Sequence, residues 1–344
     1  MEWDANNKIF DNVLEVIGRT PMIRLNKMGE GLKPDICAKL EYVNPSGSLK
    51  DRVVHKIVEE AEERGDLKPG MILLEGTTGN TGIAAAMVGA AKGYRVIIVM
   101  PEGMSDERKK TISAYGAELV LTPGAETDVD LVLEEVKRIK QKYGEQVFEV
   151  GQFYREDNLL AHIDNTAPEI WEQTAGNLDV FIMCQGTGGT VTGTAKYLKE
   201  KNPAIKVYVS EPEDSPILAC GRIGQHKIQG IADGLIPEIL DLQYIDGIVL
   251  VSSDEALETA RQMARKEGIF CGSSSGINVA AAKKVAKKYP DMQCIVTIIN
   301  DNGLRYLSTE LCGTMPERQL LDREYQLSQE DLDKLARYNF EIII

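Results

Sequence analysis

The chain is 344 residues long, 43% hydrophobic and 27% charged, with a net charge of −14, a globular composition with room for two packed domains. The acidity excludes nucleic acid as a main partner, because phosphate binding needs a basic stripe, and it has the wrong sign for an anionic membrane surface. No run reaches the roughly 18–20 apolar residues of a membrane span, and the N-terminal stretch has no basic segment followed by an apolar one, so the expectation is a cytoplasmic protein without a secretory signal.

Short apolar runs alternate with helix-period segments along most of the chain. The turn-forming stretch "NPSGS" leads into Lys50, Asp51 and Arg52, and a helical pattern follows over 53–64. "MILLEG" (71–76) reads as a buried strand before a helix at 81–92; "RVIIVMP" (95–101) precedes one at 105–115; and "AELVLTPG" (117–124) precedes one at 129–143. "DVFIMCQG" (179–186) leads to 190–201, then "IKVYVSEP" (205–212), then "DGIVLVS" (246–252) with a helix at 254–267; a helix at 276–288 comes before "CIVTIIN" (294–300). Runs of this length bounded by polar turns are strand signals. Ser252 and Glu255 form a capping box, and Gly268 stops the helix they open. The rhythm specifies an α/β protein with mainly parallel sheets. After about Met315 it is lost, and "SQEDLDKLARYN" reads as a short capped helix on a tail.

The six cysteines (Cys37, Cys184, Cys220, Cys271, Cys294, Cys312) form no C-x-x-C pair, and His55, His162 and His226 have no ligand spacing. The expectation is neither a metal site nor a disulfide framework.

In α/β folds ligands sit at the carboxyl ends of strands, so the strand-to-helix loops carry the chemistry. "GTGGT", Gly186 to Thr190, joins glycines that let N–H groups approach an anion to the positive end of a helix, and it adds two hydroxyls; it reads as a phosphate cradle. A dinucleotide reading stays open on glycine spacing alone: Gly186 and Gly188 begin the fingerprint, Val191 breaks it, and Glu211 ends the next strand where a ribose-binding acid would lie. "TTGNTG", 77–82, offers hydroxyls, the Asn80 amide and backbone N–H groups with no basic side chain, a nest for a carboxylate or a ring hydroxyl. "SSSG", 273–276, offers hydroxyls at a helix start, where an ordinary N-cap is the plain alternative. Lys50, a solvated charge if taken alone, can form a Schiff base with an aldehyde anchored by its phosphate, which would make the cofactor pyridoxal 5′-phosphate.

"NPSGSLKDR", "TTGNTG", "GTGGTVTG" and "SSSG", with "IGRTPMIRLN", "QFYREDNLLAH", "IQGIADGLIP" and "GLRYLST", occur in the order and spacing of the β-family pyridoxal-phosphate enzymes, and the chain resembles cysteine synthase and the core of cystathionine β-synthase over about residues 10–312. The resemblance implies two open twisted, mainly parallel sheets flanked by helices, the tryptophan-synthase-β-like fold type II. It implies a larger cofactor domain from 10–49 plus 158–314, a smaller substrate-loop domain at 50–157, a tail at 315–344, and a homodimer. Lys50 would hold the cofactor and take the substrate Cα proton. Gly186, Thr187, Gly188, Gly189 and Thr190 would bind its phosphate, Asn80 its 3′-oxygen, and Ser274 its ring nitrogen. Thr77, Thr78, Gly79 and Thr81 with Gln152 would hold the substrate α-carboxylate. A hydroxyl does not keep the ring nitrogen protonated as an aspartate would, which favours loss of a β-substituent over transamination. The implied reaction runs through an α-aminoacrylate: an activated serine plus sulfide to cysteine, or cysteine breakdown releasing hydrogen sulfide with water or a thiol entering.

The chain departs from the pattern at Thr78, where serine is usual, in "REDNLLAH", which lacks the usual proline, and at Asp233, where small neutral residues are usual. Asp233 is open to three readings: a base that activates water, a group that recognises a co-substrate, or a solvated side chain.

Overall fold

The computed structural model describes residues 8–124, 128–232, 234–313 and 329. All the expected strands form, with three more: Met22–Arg24 (β1), Asp35–Leu40 (β2), Ile72–Gly76 (β3), Arg95–Pro101 (β4), Glu118–Thr122 (β5), Val147–Glu149 (β6), Val180–Cys184 (β7), Lys206–Pro212 (β8), Gly247–Val251 (β9) and Cys294–Ile299 (β10). The helices are Lys50–Arg64 (α1), Asn80–Lys92 (α2), Asp106–Ala114 (α3), Val129–Tyr143 (α4), Asp157–Ala161 (α5), Ala167–Gln173 (α6), Gly189–Lys201 (α7), Ile217–Cys220 (α8), Ser253–Gln262 (α9) and Ser273–Lys288 (α10). The capping box is present, with Ser252 Oγ accepting from the Glu255 N–H at 3.2 Å. A π-turn, Met263–Glu267, extends α9 to left-handed Gly268.

Two sheets organise the unit Met1–Gly313. The six-stranded sheet has the order β1-β2-β10-β7-β8-β9 and is parallel except for β1; the four-stranded sheet, β5-β4-β3-β6, is all parallel. The fold class is thus the one the sequence implies. In the smaller sheet the period-2 alternation is direct: Leu73 and Ile98 pack on α1 and α2, while Ile72, Leu74, Ile97 and Val99 pack on α4 through Val132, Val136 and Ile139. The strand order reverses between β7 and β10 and between β3 and β6. Ligands collect at such switch points: the loops leaving β3 and β7 carry "TTGNTG" and "GTGGT", while the Lys50 turn follows β2 and "SSSG" opens α10.

The strand β2 escaped the sequence pattern for a physical reason. It contains Lys39, fully buried, whose Nζ lies 2.7 Å from Glu169 and 2.9 Å from the carbonyl of Thr20. A lysine is almost never buried unless paired, and the partner is supplied by α6. The second unit, Thr314–Ile344, is described only at Gln329, so the expected tail helix lies outside the described residues.

Candidate active site

Lys50 is the first residue of α1, and the turn before it is tied from several sides. Asn44 accepts from the Gly18 N–H at 2.9 Å and donates to the Glu41 carbonyl and carboxylate at 2.8 Å each. Buried Asp51 accepts from the N–H of Ser46 at 2.6 Å and from its hydroxyl; burial pushes the Asp51 carboxyl up to about 6 against those donors. Gly47 has a left-handed φ of +91°, and a Cβ there would crowd the side chains of Asn302 and Arg305. Arg52 reaches Glu41 at 2.7 and 2.9 Å and Glu169 at 2.7 Å through both terminal nitrogens. With Lys39 it completes a set of two cations and two anions in which Lys39, Arg52 and Glu41 are buried and Glu169 is partly exposed. Burial alone would raise the Glu41 carboxyl, but the charge and hydrogen bonds of Arg52 outweigh it and hold it at about 2.

The Lys50 side chain lines a cleft with Thr77, Thr78, Gly79, Asn80, Thr81, Gln152, Gly186, Thr187, Gly188, Thr190, Ser274 and Asn300. Among the described residues it is the only charged side chain on that wall. Gly189, the remaining sequence candidate, is the first residue of α7 beside Gly188. Asp233 lies outside the described residues.

The phosphate-cradle loop runs from the end of β7 to α7. Gly188 is left-handed at φ +83°, with Leu240 Cβ 2.7 Å from where a side chain would start. No side chain caps α7, so the N–H groups of its first turn remain for a ligand. Two residues that sequence reasoning did not assign support this loop. Asn158 donates to the Gln152 carbonyl at 2.8 Å and to Thr187 Oγ1 at 3.0 Å, tying the cradle to the loop that carries Gln152. His162, fully buried in a π-turn, has Nε2 3.1 Å from Thr190 Oγ1 and Nδ1 2.9 Å from Thr166 Oγ1. Burial, with the charges of Arg52 and Lys50, holds its ring well below the usual histidine range and therefore neutral. A neutral ring has one donor and one acceptor. In the tautomer with the proton on Nε2, the ring donates to Thr190 and leaves the Thr190 proton to face the cleft; in the other, the ring takes that proton.

The nest begins α2. Thr77 Oγ1 accepts from the Gly79 N–H at 3.0 Å, and Thr81 donates to Gln152 Oε1 at 2.5 Å. Behind them Glu75 accepts from the Gly151 N–H at 2.8 Å, and burial pushes its carboxyl up to about 8. The Asn80 amide is held at both ends, donating to Asp301 Oδ2 at 2.7 Å and accepting from Arg305 Nη1 at 2.7 Å.

Ser274 sits in the first turn of α10. Its Oγ accepts from Asn300 Nδ2 at 3.1 Å, which leaves the hydroxyl proton to be donated elsewhere. Glu211 settles the dinucleotide alternative. It is fully buried, and its carboxylate is taken up by the N–H groups of Leu218 and Ala219 at 2.9 and 2.8 Å, so it caps α8 and is not available to a ribose.

A family model described as pyridoxal-phosphate dependent enzyme matches residues 13–301. The chain belongs to this family. It is 43% identical over 305 residues to a cysteine synthase of Staphylococcus aureus, spanning 88% of this chain and 97% of that one. Two solved structures resemble it closely. A cysteine synthase from Entamoeba histolytica is 42% identical with a TM-score of 0.85, covering 91% of this chain and 94% of that one. A hydrogen sulfide-producing enzyme from Fusobacterium nucleatum is 39% identical with a TM-score of 0.83, covering 87% and 100%. The cofactor is pyridoxal 5′-phosphate, and the cleft fits it. The enzyme offers one amine, an uncapped helix start walled by glycines that a Cβ would fill, and no described carboxylate on the wall. Among the described residues no helix is long and apolar enough to cross a membrane, and no cluster of His, Cys, Asp and Glu could hold a metal.

Of the supporting residues, Asn158 and His162 stand in "REDNLLAH" and Arg305 in "GLRYLST", stretches marked only by resemblance. Asn300 and Asp301 carried a usable signal, polar side chains at the carboxyl end of a buried strand.

Proposed function

We propose that the enzyme catalyses β-replacement on a serine-type amino acid, making L-cysteine from an activated L-serine and sulfide. The observation that carries this reading is the convergence of Lys50, the uncapped α7 loop, the α2 nest and a hydroxyl-bearing Ser274 on one cleft. Pyridoxal phosphate, when bound, supplies the electron sink for charge developing at Cα. Gly186 to Thr190 hold its phosphate, Asn80 its 3′-oxygen and Ser274 its ring nitrogen. Thr77, Thr78, Gly79, Thr81 and Gln152 orient the substrate carboxylate. Lys50 Nζ would hold the cofactor and, once the substrate amine has displaced it, its freed amine would take the Cα proton. Because Asn300 donates to Ser274, the serine offers its proton to the ring nitrogen and leaves that nitrogen without a proton of its own. This limits the sink and favours departure of the β-substituent.

The test is product identification from O-acetylserine plus sulfide, with Lys50→Ala as the control. Cysteine from the wild type and none from the variant is the expected result. No cysteine from O-acetylserine or O-phosphoserine, or a borohydride-reducible visible band retained by Lys50→Ala, refutes the reading. A second reading is favoured by the likeness to the Fusobacterium protein and by Asp233: cysteine is the substrate, sulfide leaves, and water enters with Asp233 as base, or a thiol enters. Sulfide and serine from cysteine alone, lost in Asp233→Asn, would select it. We also infer a cytoplasmic homodimer, with 10–49 plus 158–314 holding the cofactor and 50–157 carrying the substrate loops. Light scattering and limited proteolysis test these points.

A further inference from the structure

Asn80 is proposed to face the cofactor 3′-oxygen, and a primary amide does this well in only one of its two orientations. An N–H toward an anionic oxygen attracts it, and the carbonyl, after a half-turn, repels it. Three groups to which the motifs assign no role decide which. Asp301, at 0% exposure, follows β10 and accepts from Asn80 Nδ2 at 2.7 Å; Tyr306 donates to the same Asp301 oxygen at 2.7 Å. Arg305, at 5% exposure, donates from Nη1 to Asn80 Oδ1 at 2.7 Å, and from Nη2 to the carbonyl of Ser46 in the turn that delivers Lys50. A short bridge pairs Ser48 of that turn with Asp301. Opposite charges thus flank one neutral amide, and the same two residues reach the turn before Lys50.

We propose that Asp301 and Arg305 are positioning residues that lock the Asn80 amide with one N–H toward the cleft and hold it in register with the Lys50 turn. The inference rests on the cofactor reading of the site. Asn80 has two N–H groups; Asp301 takes one, and the other is left for the cleft that Asn80 lines. The Arg305 charge on the carbonyl and the Asp301 charge on the amino group polarise the amide in the same sense, which strengthens the remaining N–H as a donor. Buried charges of this kind add little net stability over apolar groups of similar volume. What they supply here is orientation.

The test compares holoenzyme absorption spectra of the wild type, Asn80→Ala, Asp301→Asn and Arg305→Met. A donor at the 3′-oxygen favours the visible band of the bound cofactor over its near-ultraviolet band. All three variants are expected to lower that band ratio by about tenfold, the equivalent of one hydrogen bond to a charged group. The double variant Asn80→Ala with Arg305→Met should add no further shift, because both act through one amide. Far-ultraviolet circular dichroism and cofactor content verify folding and loading. Should Asp301→Asn unfold, Arg305→Lys carries the same test, since one ammonium keeps the buried charge but cannot hold Ser46 and Asn80 as a fork. Wild-type spectra in the Asp301 and Arg305 variants beside a shifted Asn80→Ala, or an additive double variant, overturn the proposal and leave the site reading intact. An unshifted Asn80→Ala overturns both.

Discussion

The ion network at the start of α1 makes a prediction whose size and pH dependence can both be worked out. Arg52→Ala removes the guanidinium that holds Glu41 and Glu169 and leaves Glu41 at 0% exposure, with Lys39 as a cation already paired to Glu169. Removing one partner of a buried pair costs about 3–5 kcal/mol. Linkage gives a similar figure: a carboxyl held at about 2 instead of 4.5 contributes about 3 kcal/mol. The wild-type contribution is present above 4.5 and is lost only as pH falls from there toward about 2, so it stays constant between neutrality and about pH 5. In the variant, burial without the guanidinium raises the Glu41 carboxyl above 4.5. Its penalty is then largest at neutral pH and is relieved on acidification. Urea unfolding at about pH 7.5 and about pH 5 should show the gap between the two proteins narrowing at the lower pH. Arg52→Lys should recover only part of the loss, because an ammonium cannot bridge two carboxylates as a fork does. A gap under about 1 kcal/mol, the size of an exposed pair, or one equal at both pH values would refute the reasoning. Since α1 opens with Lys50, the variant should also lose cofactor retention on dialysis.

Glu75→Gln tests the opposite sign: the folded carboxyl is raised to about 8, so its contribution is full below 4.5 and is lost as pH rises through about 8. The wild type should lose about 1.4 kcal/mol per pH unit across that window, and the glutamine variant should lose that slope; identical pH profiles would contradict the burial argument. Asn300→Asp should turn the Ser274 hydroxyl toward the new carboxylate and present its lone pair to the cleft. The resonance of 15N-labelled cofactor should then move toward the protonated ring, and an unmoved resonance would show that Asn300 does not orient Ser274. Gly189→Ala places a Cβ against Asn158, so the dissociation constant for pyridoxal phosphate should rise at least about tenfold by equilibrium dialysis. An unchanged constant would mean that the loop has slack.

Most of the architecture was legible along the chain because its signals are local. Apolar runs bounded by turn residues marked the buried strands, and glycine and threonine at strand ends marked the two loops that face the cleft. The missed strand β2 shows the limit: Lys39 spoils its pattern, and only Glu169, 130 positions on, makes that burial affordable. The expected helix at 53–64 begins at Lys50 instead, because Asp51 ties back to Ser46 and Arg52 to Glu41 and Glu169. The motifs named most of the groups that line the cleft, and by themselves they determined an α/β enzyme with a lysine, a glycine-rich loop and a nest. Tertiary structure alone decided which way those groups point. Asn80 meets Asp301 across 221 residues and Arg305 across 225, and Asn158 meets Thr187 across 29. Such partners are set by which strands pair and where their order reverses, which no local periodicity encodes.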